Sequence, residues 1–521
     1  MPEGGRASVQ MRLSARPSRD TIVGTARVQG DTDLVGSTPL TFTPDNWDVP
    51  QNFVVTAAED SDTDSGRATF DSRSSQISGS SAVLWTAVEQ DNDTTPGVPV
   101  DNPFAGVSGY VNPDWTANVE SSAVTAGGTA AERMRRLKTV PTAVWLDRIA
   151  KVTGGSGVTR NLEAHLDAAV AQGAGYVTLV LYNLPDKDCL SLVSPAELHA
   201  QENGLNRYKT EFIDPIVSVI SQAKYAGLRI ATVVEPRSLA SLITGVHYIS
   251  CEQVVQSGAY LSGLRYALDR LAPLPNVYTY LDAGHAGWIG WDANFAAMAS
   301  LITDVVRGTT QGAASLDGIA TNVADYIPTE EPYLPDPYLM IGGAPVRSAT
   351  FYEWNPYFDE RDYATAMRNA LIQRGLSSTI GAVIDTSRNG WGGPDRPGSG
   401  GGGEGGDNLN DYVDRSRLDR RPYRFSWCNQ KGAGIGARPV ASPFSGVDAL
   451  LWIKPPGESD GAGGPLMPPG SSRLVDRMCD PYENNRFNPS VPTNALPNAP
   501  MYGDWHHDQF AMLVENAFPA P

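Results

Sequence analysis

The sequence predicts an α/β barrel preceded by a small all-β sandwich domain. Beyond about residue 104, apolar runs of about four to eight residues alternate with amphipathic segments, a pattern typical of βαβ units and parallel strands. Residues 1–93 differ, because short alternating segments are separated there by Gly, Asp, Ser and Pro. A chain of 521 residues has room for both domains.

The predicted sandwich domain covers residues 1–93, with the strand-like segments ASVQMRLSA, NFVVTAAE and AVLWTAVE. Its stretches EGGRASVQMRLSARPS, PLTFTPDNWDVPQNFVVTAAEDSDTDSG and VEQDND resemble Calx-beta repeats. Such domains often bind calcium through loop carboxylates, so the resemblance implies Ca²⁺ binding in this domain. The candidate oxygen donors are Asp60, Asp62, Asp64, Asp91 and Asp93. The alternative interpretation is a solvated acidic turn, and a Pro-rich linker is predicted over 94–103.

The predicted barrel domain covers residues 104–521. Its strand and helix segments alternate in the order TAVWLDRI then NLEAHLDAAVAQG, YVTLVLYNLP then EFIDPIVSVISQAKYAG, LRIATVVEP then AYLSGLRYALDRLA, and NVYTYLDAG then FAAMASLITDVVRG. The glycine tract at 398–408 is predicted to be a flexible loop rather than a phosphate-binding motif.

Charge and composition exclude several classes of partner. The net charge of −18 argues against nucleic acid and anionic membrane surfaces, since both require clustered cations. No apolar run approaches the roughly 18 residues of a membrane-spanning helix. The N-terminus lacks the layout of a signal peptide and begins in strand-like alternation, so we expect a trimmed fragment of a secreted precursor.

Four cysteines, Cys189, Cys251, Cys428 and Cys479, form no CxxC pair, which weakens a zinc or thioredoxin interpretation. Two disulfides in an exported protein fit better. Four free thiols in a cytosolic enzyme remain the alternative.

Carboxylates follow several of the predicted strands. The strand-end acids are Asp147, Asp188, Glu235 and Asp282, and the stretch LWIKPPGESDG adds Lys454, Glu458 and Asp460. The carboxyl ends of barrel strands meet at one mouth, where barrels keep their chemistry. One acid at one strand end is usually structural, but their convergence on one mouth indicates an active site.

Aromatic residues accompany these acids. They are Trp145, Tyr182, Trp288, Trp291, Trp354, Trp391, Trp427 and Trp452. Each Trp taken singly is more often a packing residue, but this set beside carboxylates favours a saccharide cleft. The sequence has no GxSxG elbow and no HExxH motif, so carboxylate-based glycoside hydrolysis is the remaining chemistry.

Seven motifs resemble those of glycoside hydrolase family 6, the cellobiohydrolase II and endoglucanase family. They are LYNLPDKDC, VVEPRSL, YLDAGHAGWIGW, FYEWNPYFDE, DTSRNGWGGP, WCNQKGAGIGARP and LWIKPPGESDG. The resemblance covers residues 104–521 and implies a distorted (β/α) barrel that hydrolyses β-1,4-glucan with inversion. It implies cellulose and cellooligosaccharides as partners, a monomer, and no cofactor or metal for catalysis.

The resemblance also implies residue roles. Asp188 would tune the acid's protonation and assist the transition state, Asp460 would be the base, Asp282 would support the site, and Tyr182 would distort the sugar. The residues expected to bind substrate are Trp145, Asp147, His285, Trp288, Trp291, Asn322, Trp354, Asn355, Trp452, Lys454 and Glu458. The implied disulfides pair Cys189 with Cys251 and Cys428 with Cys479.

One motif departs from the family at the general acid. The family reads Glu-Pro-Asp-Ser-Leu, whereas this chain reads Glu-Pro-Arg-Ser-Leu with Arg237 in the acid's position. A guanidinium does not release a proton at neutral pH, and it should favour ionisation of neighbours such as Asp188. General acid catalysis contributes about 10² to 10⁴-fold, so we expect a severe loss of turnover.

Three interpretations of Arg237 follow. In the first, the acid of a family 6 cellulase has been substituted, leaving binding largely intact and turnover weak. In the second, Asp186, Asp188 or Asp385 takes the acid's role. In the third, the domain is a non-hydrolytic glucan-binding protein. The first is the most economical, because every other recognised position is retained.

The mode of action depends on the loops that roof the cleft. The segment from DTSRNGWGGPDRPG through DNLNDYVDRSRLDRRPYRFSWC resembles the extended loop of bacterial exo-acting members. It therefore predicts a cellobiohydrolase that acts from non-reducing ends and releases cellobiose. The alternatives are an endoglucanase with an open groove, or a surface loop with no bearing on the mode.

Overall fold

The chain folds into two units, Met1–Val98 and Pro99–Pro521. The computed structural model describes residues 1, 4–58, 65–77, 81–89, 99–191, 193–194, 196–401, 408–464 and 475–521. The five carboxylates predicted to bind calcium lie outside the described residues.

The first unit is built from β-strands in its described part. They are β1 (Arg6–Met11), β2 (Thr21–Gly30), β3 (Leu34–Gly36), β4 (Leu40–Phe42), β5 (Gln51–Ala57), β6 (Arg67–Arg73) and β7 (Val83–Val88). They form two antiparallel sheets, of order β1-β5-β3 and β4-β2-β6-β7. Alternate side chains such as Phe53, Val55 and Phe70 share one core, as the period of two along a strand requires. The all-β prediction is confirmed, and the Calx-beta resemblance stays a prediction.

The second unit is organised around an eight-stranded sheet. The strands of this unit, in its described part, are β8 (Val144–Leu146), β9 (Tyr176–Leu181), β10 (Arg229–Val234), β11 (Val277–Asp282), β12 (Gly318–Thr321), β13 (Met340–Ile341), β14 (Ala344–Pro345), β15 (Gly381–Asp385), β16 (Val440–Phe444) and β17 (Val447–Leu451). The order is β16-β17-β15-β12-β11-β10-β9-β8, parallel except at β16, while β13 and β14 pair separately. The sequential parallel order is that of a (β/α) barrel.

Helices connect and cover these strands. They are α1 (Pro113–Ala126), α2 (Gly128–Arg135), α3 (Ile149–Thr153), α4 (Leu162–Ala171), α5 (Gly204–Arg207), α6 (Asp214–Ile220), α7 (Ser238–Thr244), α8 (Ile249–Ser257), α9 (Ala259–Leu271), α10 (Ala286–Ile289), α11 (Asp292–Arg307), α12 (Glu360–Gln373), α13 (Leu409–Ser416) and α14 (His507–Glu515). In α9, Leu264, Leu268 and Leu271 are buried at helical spacing, which holds the helix against the sheet. None of the helices in the described part of the chain is long and apolar enough to cross a membrane.

The barrel is distorted where its two ends meet. The peptide nitrogen of Ala143, just before β8, donates to the carbonyl of Trp452, just after β17, at 3.0 Å. Within the described residues no ladder pairs β8 with β17. The indole nitrogen of Trp145 strengthens this seam by donating to the carbonyl of Ile453 at 2.8 Å. The predicted distorted barrel is confirmed.

Two disulfides form the pairs that the family resemblance implied. Cys189–Cys251 joins the segment after β9 to α8, and Cys428–Cys479 joins two segments on either side of β17, with Cα separations of 5.0 and 5.1 Å. Each bond holds a loop whose neighbouring residue, Asp188 or Trp427, lies in the site described below.

Candidate active site

The strand ends are level, so the residues that follow them gather at one mouth. Val234 of β10 lies opposite both Leu181 of β9 and Leu281 of β11. Parallel pairing therefore brings Tyr182, Arg237 and Asp282 to the same edge of the sheet.

Arg237 lies at the centre of this mouth. Its backbone is left-handed, with φ of 68°, and its peptide nitrogen donates to Asp282 Oδ1 at 3.0 Å. Its Nε lies 3.4 Å from Asp188 Oδ1. The guanidinium carbon is 5.5 Å from the ring centre of Trp288 and 5.4 Å from that of Trp427. A carboxylate and two indole rings therefore hold the cation in place.

Asp188 is buried next to this cation. Burial raises the pKa of Asp188, and the opposing effects of Arg237 and of the hydrogen bond from the Ser191 hydroxyl, at 2.5 Å, do not cancel it. The prediction that Arg237 promotes the ionisation of Asp188 is right in sign, but burial outweighs it. The charge of Asp188 in turn helps to raise the pKa of Arg237, against the effect of burial, so Arg237 stays cationic.

The other two candidates for a substitute acid lie elsewhere. Asp186 accepts from the His199 ring and from the peptide nitrogen of Ala200. Asp385 is fully buried and accepts backbone hydrogen bonds, including those from Ala324 and Lys454. Of the three carboxylates considered, Asp188 alone is in contact with Arg237.

Asp460, the candidate base, is held by three donors. Arg388 Nη1 lies 2.7 and 2.8 Å from its two carboxylate oxygens, and Arg388 is fully buried. The Tyr326 hydroxyl and the peptide nitrogen of Asn429 donate to Oδ2 at 2.7 and 2.8 Å. These bonds fix the orientation of the carboxylate.

Three cavities adjoin Arg237, and the two larger ones form the cleft. The first, called the central pocket, is lined by residues that include Trp145, Tyr182, Asp188, Lys454, Asp460 and Tyr502. Its volume of about 20 Å³ leaves room for about one water molecule. The second, called the aromatic chamber, has about 200 Å³ and is lined by residues that include His285, Trp288, Phe425, Trp427 and Phe487. Arg237 and Trp427 line both cavities.

Several predicted binding residues do lie at these cavities. Lys454 Nζ sits 5.1 Å from the ring centre of Trp145 and 3.2 Å from Glu458 Oε2. Asp147 lines neither cavity, and its carbonyl accepts from Lys187. On the chamber side, Trp291 stacks on Phe425 with ring centres 5.4 Å apart.

His285 lines the aromatic chamber through a buried imidazole. Burial lowers its pKa despite the neighbouring Asp325, so the ring is neutral at neutral pH. Its Nε2 lies 3.1 Å from Asp325 Oδ2. Asp282 is also buried, and burial raises its pKa to about 6 against the backbone hydrogen bonds from Arg237 and Gly284.

Three residues predicted to bind substrate, Trp452, Asn322 and Asn355, are buried and make structural contacts instead. The prediction is wrong for them. Trp452 is 1% exposed, donates to the Ala437 carbonyl and packs against Trp115. Asn322 is fully buried, with its amide bonded to the backbone of Ile327 and Asp385.

Asn355 is likewise buried, donating to the Ala286 carbonyl and accepting from the peptide nitrogen of Tyr357. Trp354 is 57% exposed, lies against Arg347, and does not line either cavity at Arg237.

The structure brings to the cleft several residues for which the sequence predicted no catalytic or binding role. Trp427, noted only as one of the aromatic residues, lines both cavities, and its place beside Cys428 in a family motif could have identified it. Ser191, Phe425 and Tyr502 carry no signal in a single sequence, because their contacts come from loops.

A larger cavity of about 760 Å³ lies in the first unit, with Met11, Phe42 and Trp85 in its lining. Its described lining contains no carboxylate, which makes it unsuited to glycoside hydrolysis. Across the described residues, no group of three or more His, Cys, Asp or Glu is placed to hold a metal ion. The mouth of the barrel is therefore the candidate active site.

Glu360, buried behind the chamber, should make stability pH-dependent. Its Oε1 accepts from the peptide nitrogen of Ala286 at 2.7 Å, and burial raises its pKa from 4.5 to about 8. A raised pKa stabilises the fold at low pH, and this contribution is lost as pH rises through about 8. We expect the contribution of Glu360 to the free energy of unfolding to fall by about 3–4 kcal/mol between about pH 5 and pH 8.

The Glu360→Gln variant keeps the acceptor but cannot ionise, so its unfolding free energy should fall less over the same range. Glu331, whose pKa burial also raises to about 8, leaves a residual slope. Urea unfolding at both pH values measures the difference. Identical slopes for the native chain and the variant would rule out this role of Glu360.

Comparisons with known proteins point to one family. The family model for glycosyl hydrolases family 6 matches residues 104–517. Exoglucanase A of Cellulomonas fimi is 47% identical over 434 residues, covering 81% of this chain, which spans about half (49%) of that relative's length.

Two solved structures are similar as well. The catalytic domain of Cellulomonas fimi Cel6B superposes with a TM-score of 0.77 at 46% identity, covering 81% of this chain and 96% of that one. Cellobiohydrolase II (Cel6A) from Humicola insolens, in complex with glucose and cellotetraose, gives a TM-score of 0.61 at 28% identity, covering 81% and 100%.

Proposed function

Because this chain belongs to glycosyl hydrolase family 6 and is a glycoside hydrolase of the cellobiohydrolase type, we propose that it hydrolyses the β-1,4-glucosidic bonds of cellulose with inversion. We also propose that Arg237 strongly lowers the rate of this reaction. One observation carries the proposal: a partly buried, ion-paired arginine occupies the position where the family's motif places the acid.

An inverting mechanism needs an acid for the leaving oxygen and a base for water on the opposite face of the sugar. Asp460 is the base of this proposal, acting on water directly or through a second water, in the orientation that Arg388, Tyr326 and Asn429 give it. Tyr182 and Asp188 surround the sugar at the cleavage point.

Arg237 impairs this reaction in three ways. It donates no proton, and its charge opposes the oxocarbenium-like charge of the transition state. It also leaves the central pocket with room for about one water molecule, so its side chain has to move before a sugar ring can occupy the cleavage point.

The aromatic chamber supports the binding of cellooligosaccharides. We expect Trp427→Ala to weaken binding of cellotetraose by about tenfold, because this ring lines both cavities and stacking of a sugar face on it would contribute about 1.4 kcal/mol. Isothermal titration calorimetry measures the affinity. Trp354→Ala is the matched control and should bind as the native chain does, since Trp354 lines neither cavity. Equal affinity of the Trp427 variant would place the sugar elsewhere.

We propose exo action from non-reducing ends with release of cellobiose. The extended segment that precedes Cys428 supplies Arg424, Phe425 and Trp427 to the chamber, which supports a roofed cleft rather than a surface loop without function.

The viscosity of soluble carboxymethylcellulose tests the mode of action, once turnover has been restored by Arg237→Asp. An exo enzyme releases sugar from chain ends and should barely lower the viscosity, because the chains stay long. A rapid fall in viscosity at the same amount of released sugar would show an endoglucanase.

A non-hydrolytic glucan-binding protein is the second candidate, favoured by the same ion pair between Arg237 and Asp188. Such a protein is stabilised against thermal unfolding by cellotetraose and releases no sugar, even after Arg237→Asp.

Export from the cell, a monomeric state and calcium binding in the first unit complete the proposal. The two disulfides support export.

A further inference from the structure

The guanidinium of Arg237 has unused hydrogen-bond donors. Its Nε faces Asp188 at 3.4 Å, but neither terminal nitrogen donates a hydrogen bond to any residue in the described part of the chain. The side chain is 22% exposed and lines both the central pocket and the aromatic chamber. A guanidinium presents its donors as a planar fork that matches a carboxylate bidentately. Arg237 therefore offers an open carboxylate-binding edge at the centre of the cleft.

The charges around the aromatic chamber favour an anion. Three guanidinium groups line it, those of Arg237, Arg424 and Arg486, against one carboxylate, Asp325. Asp325 shares Arg421 with Asp419, because Arg421 Nη1 lies 3.0 Å from Asp325 Oδ1 and Arg421 Nη2 lies 2.6 Å from Asp419 Oδ2.

The other two cations differ in how far they are neutralised. Arg486 lies 3.6 Å from Asp476, which is an ion pair. Arg424 is buried and has no carboxylate partner among the described residues. Its Nη2 donates to the carbonyls of Tyr357 and Phe358, and its Nη1 has no hydrogen-bond partner there. The chamber thus has two guanidinium groups with unused donors, Arg237 and Arg424, in a poorly solvated environment where charges interact strongly.

The walls of the same chamber suit the faces of a sugar ring. Trp288, Phe425, Trp427 and Phe487 present aromatic surface, and Trp288 and Trp427 flank the Arg237 guanidinium. A neutral glucose unit stacked here would leave the guanidinium edge with hydroxyl acceptors only. A carboxylate would accept two charge-assisted hydrogen bonds, which are roughly twice as strong as neutral ones.

We propose that the aromatic chamber binds a β-linked glucose oligosaccharide that carries a carboxylate, with the carboxylate on the terminal nitrogens of Arg237 and the sugar between the aromatic walls. This proposal rests on the proposed function, because it assigns the substrate class of the same cleft. Asp188 keeps the Nε edge, so the ligand takes the other edge of the same cation. The carboxylate has two sources, a uronic acid oxidised at C6 or an aldonic acid oxidised at C1.

The test compares three disaccharides by isothermal titration calorimetry: cellobiose, cellobionate, and cellobiose with a glucuronate at its non-reducing end. We expect at least one of the two acids to bind the native chain at least tenfold more tightly than cellobiose. The preferred acid identifies the source of the carboxylate. In Arg237→Gln the preference should vanish while cellobiose still binds. Arg361→Gln, which removes an exposed cation outside the cleft, should keep the preference.

The outcomes separate the two proposals. If cellobiose binds and neither acid binds more tightly, the inference is overturned while the saccharide cleft stands. If no disaccharide binds, both fail. If Arg237→Gln does not fold, the native chain decides: rising salt should weaken binding of the preferred acid and leave cellobiose unaffected. A salt-independent affinity for the acid would overturn the inference.

Discussion

Arg237→Asp is expected to raise the turnover of cellotetraose by at least tenfold, and by up to about 10⁴-fold if general acid catalysis is fully restored. The peptide nitrogen of residue 237 is anchored on Asp282 independently of its side chain, so an aspartate should keep the backbone position. Asp is also among the residues that tolerate the left-handed conformation observed there. Two neighbouring carboxyl groups raise the pKa of one of them, so Asp188 would help to keep the new acid protonated.

Released cellobiose, followed over time for the two chains side by side, measures this effect. Arg237→Asn is the matched control, since it removes the cation and the bulk but cannot donate a proton. It should bind cellotetraose and remain slow. If the native chain is as fast as Arg237→Asp, the acid lies elsewhere, and Asp188 is the first carboxylate to examine.

Arg388→Met is expected to lower the free energy of unfolding by about 3–5 kcal/mol, the usual result of removing one partner from a buried ion pair. Arg388 is fully buried, contacts both oxygens of Asp460 and lies over the Tyr326 ring at 4.3 Å. Without it, the Asp460 charge keeps only the hydrogen bonds from Tyr326 and Asn429 in a site with little solvent.

Urea unfolding of a double-mutant cycle isolates the pair. Asp460→Asn added to Arg388→Met removes the stranded charge and should recover about 1–3 kcal/mol of the loss. Additive losses would mean that Arg388 stabilises the fold by packing rather than by its charge.

The barrel could be predicted because its strands are buried on both faces and read as apolar runs between amphipathic helices. The position of Arg237 followed as well, since a motif at the end of a strand fixes where its residues lie. The direction of a side chain around the mouth did not follow. Trp145 and Trp452 both lie at strand ends, yet Trp145 faces the central pocket and Trp452 packs against Trp115.

Electrostatics in the site were equally hard to read from sequence. A cation next to Asp188 predicts a lowered pKa, but burial acts in the opposite direction and is larger. Only the structure gives the burial. Similarly, Asn322 looked like a partner for sugar hydroxyls, whereas the left-handed turn after β12 uses its amide for backbone hydrogen bonds.

The central claim is that Arg237 removes proton donation to the leaving group and leaves the rest of the cleft in place. A dinitrophenyl leaving group departs without protonation, so dinitrophenyl β-cellobioside bypasses the acid. The decisive measurement is the ratio of kcat/KM for Arg237→Asp over the native chain, on this substrate and on cellotetraose. We expect a ratio at least tenfold larger on cellotetraose than on the dinitrophenyl substrate. Equal ratios on the two substrates would contradict it.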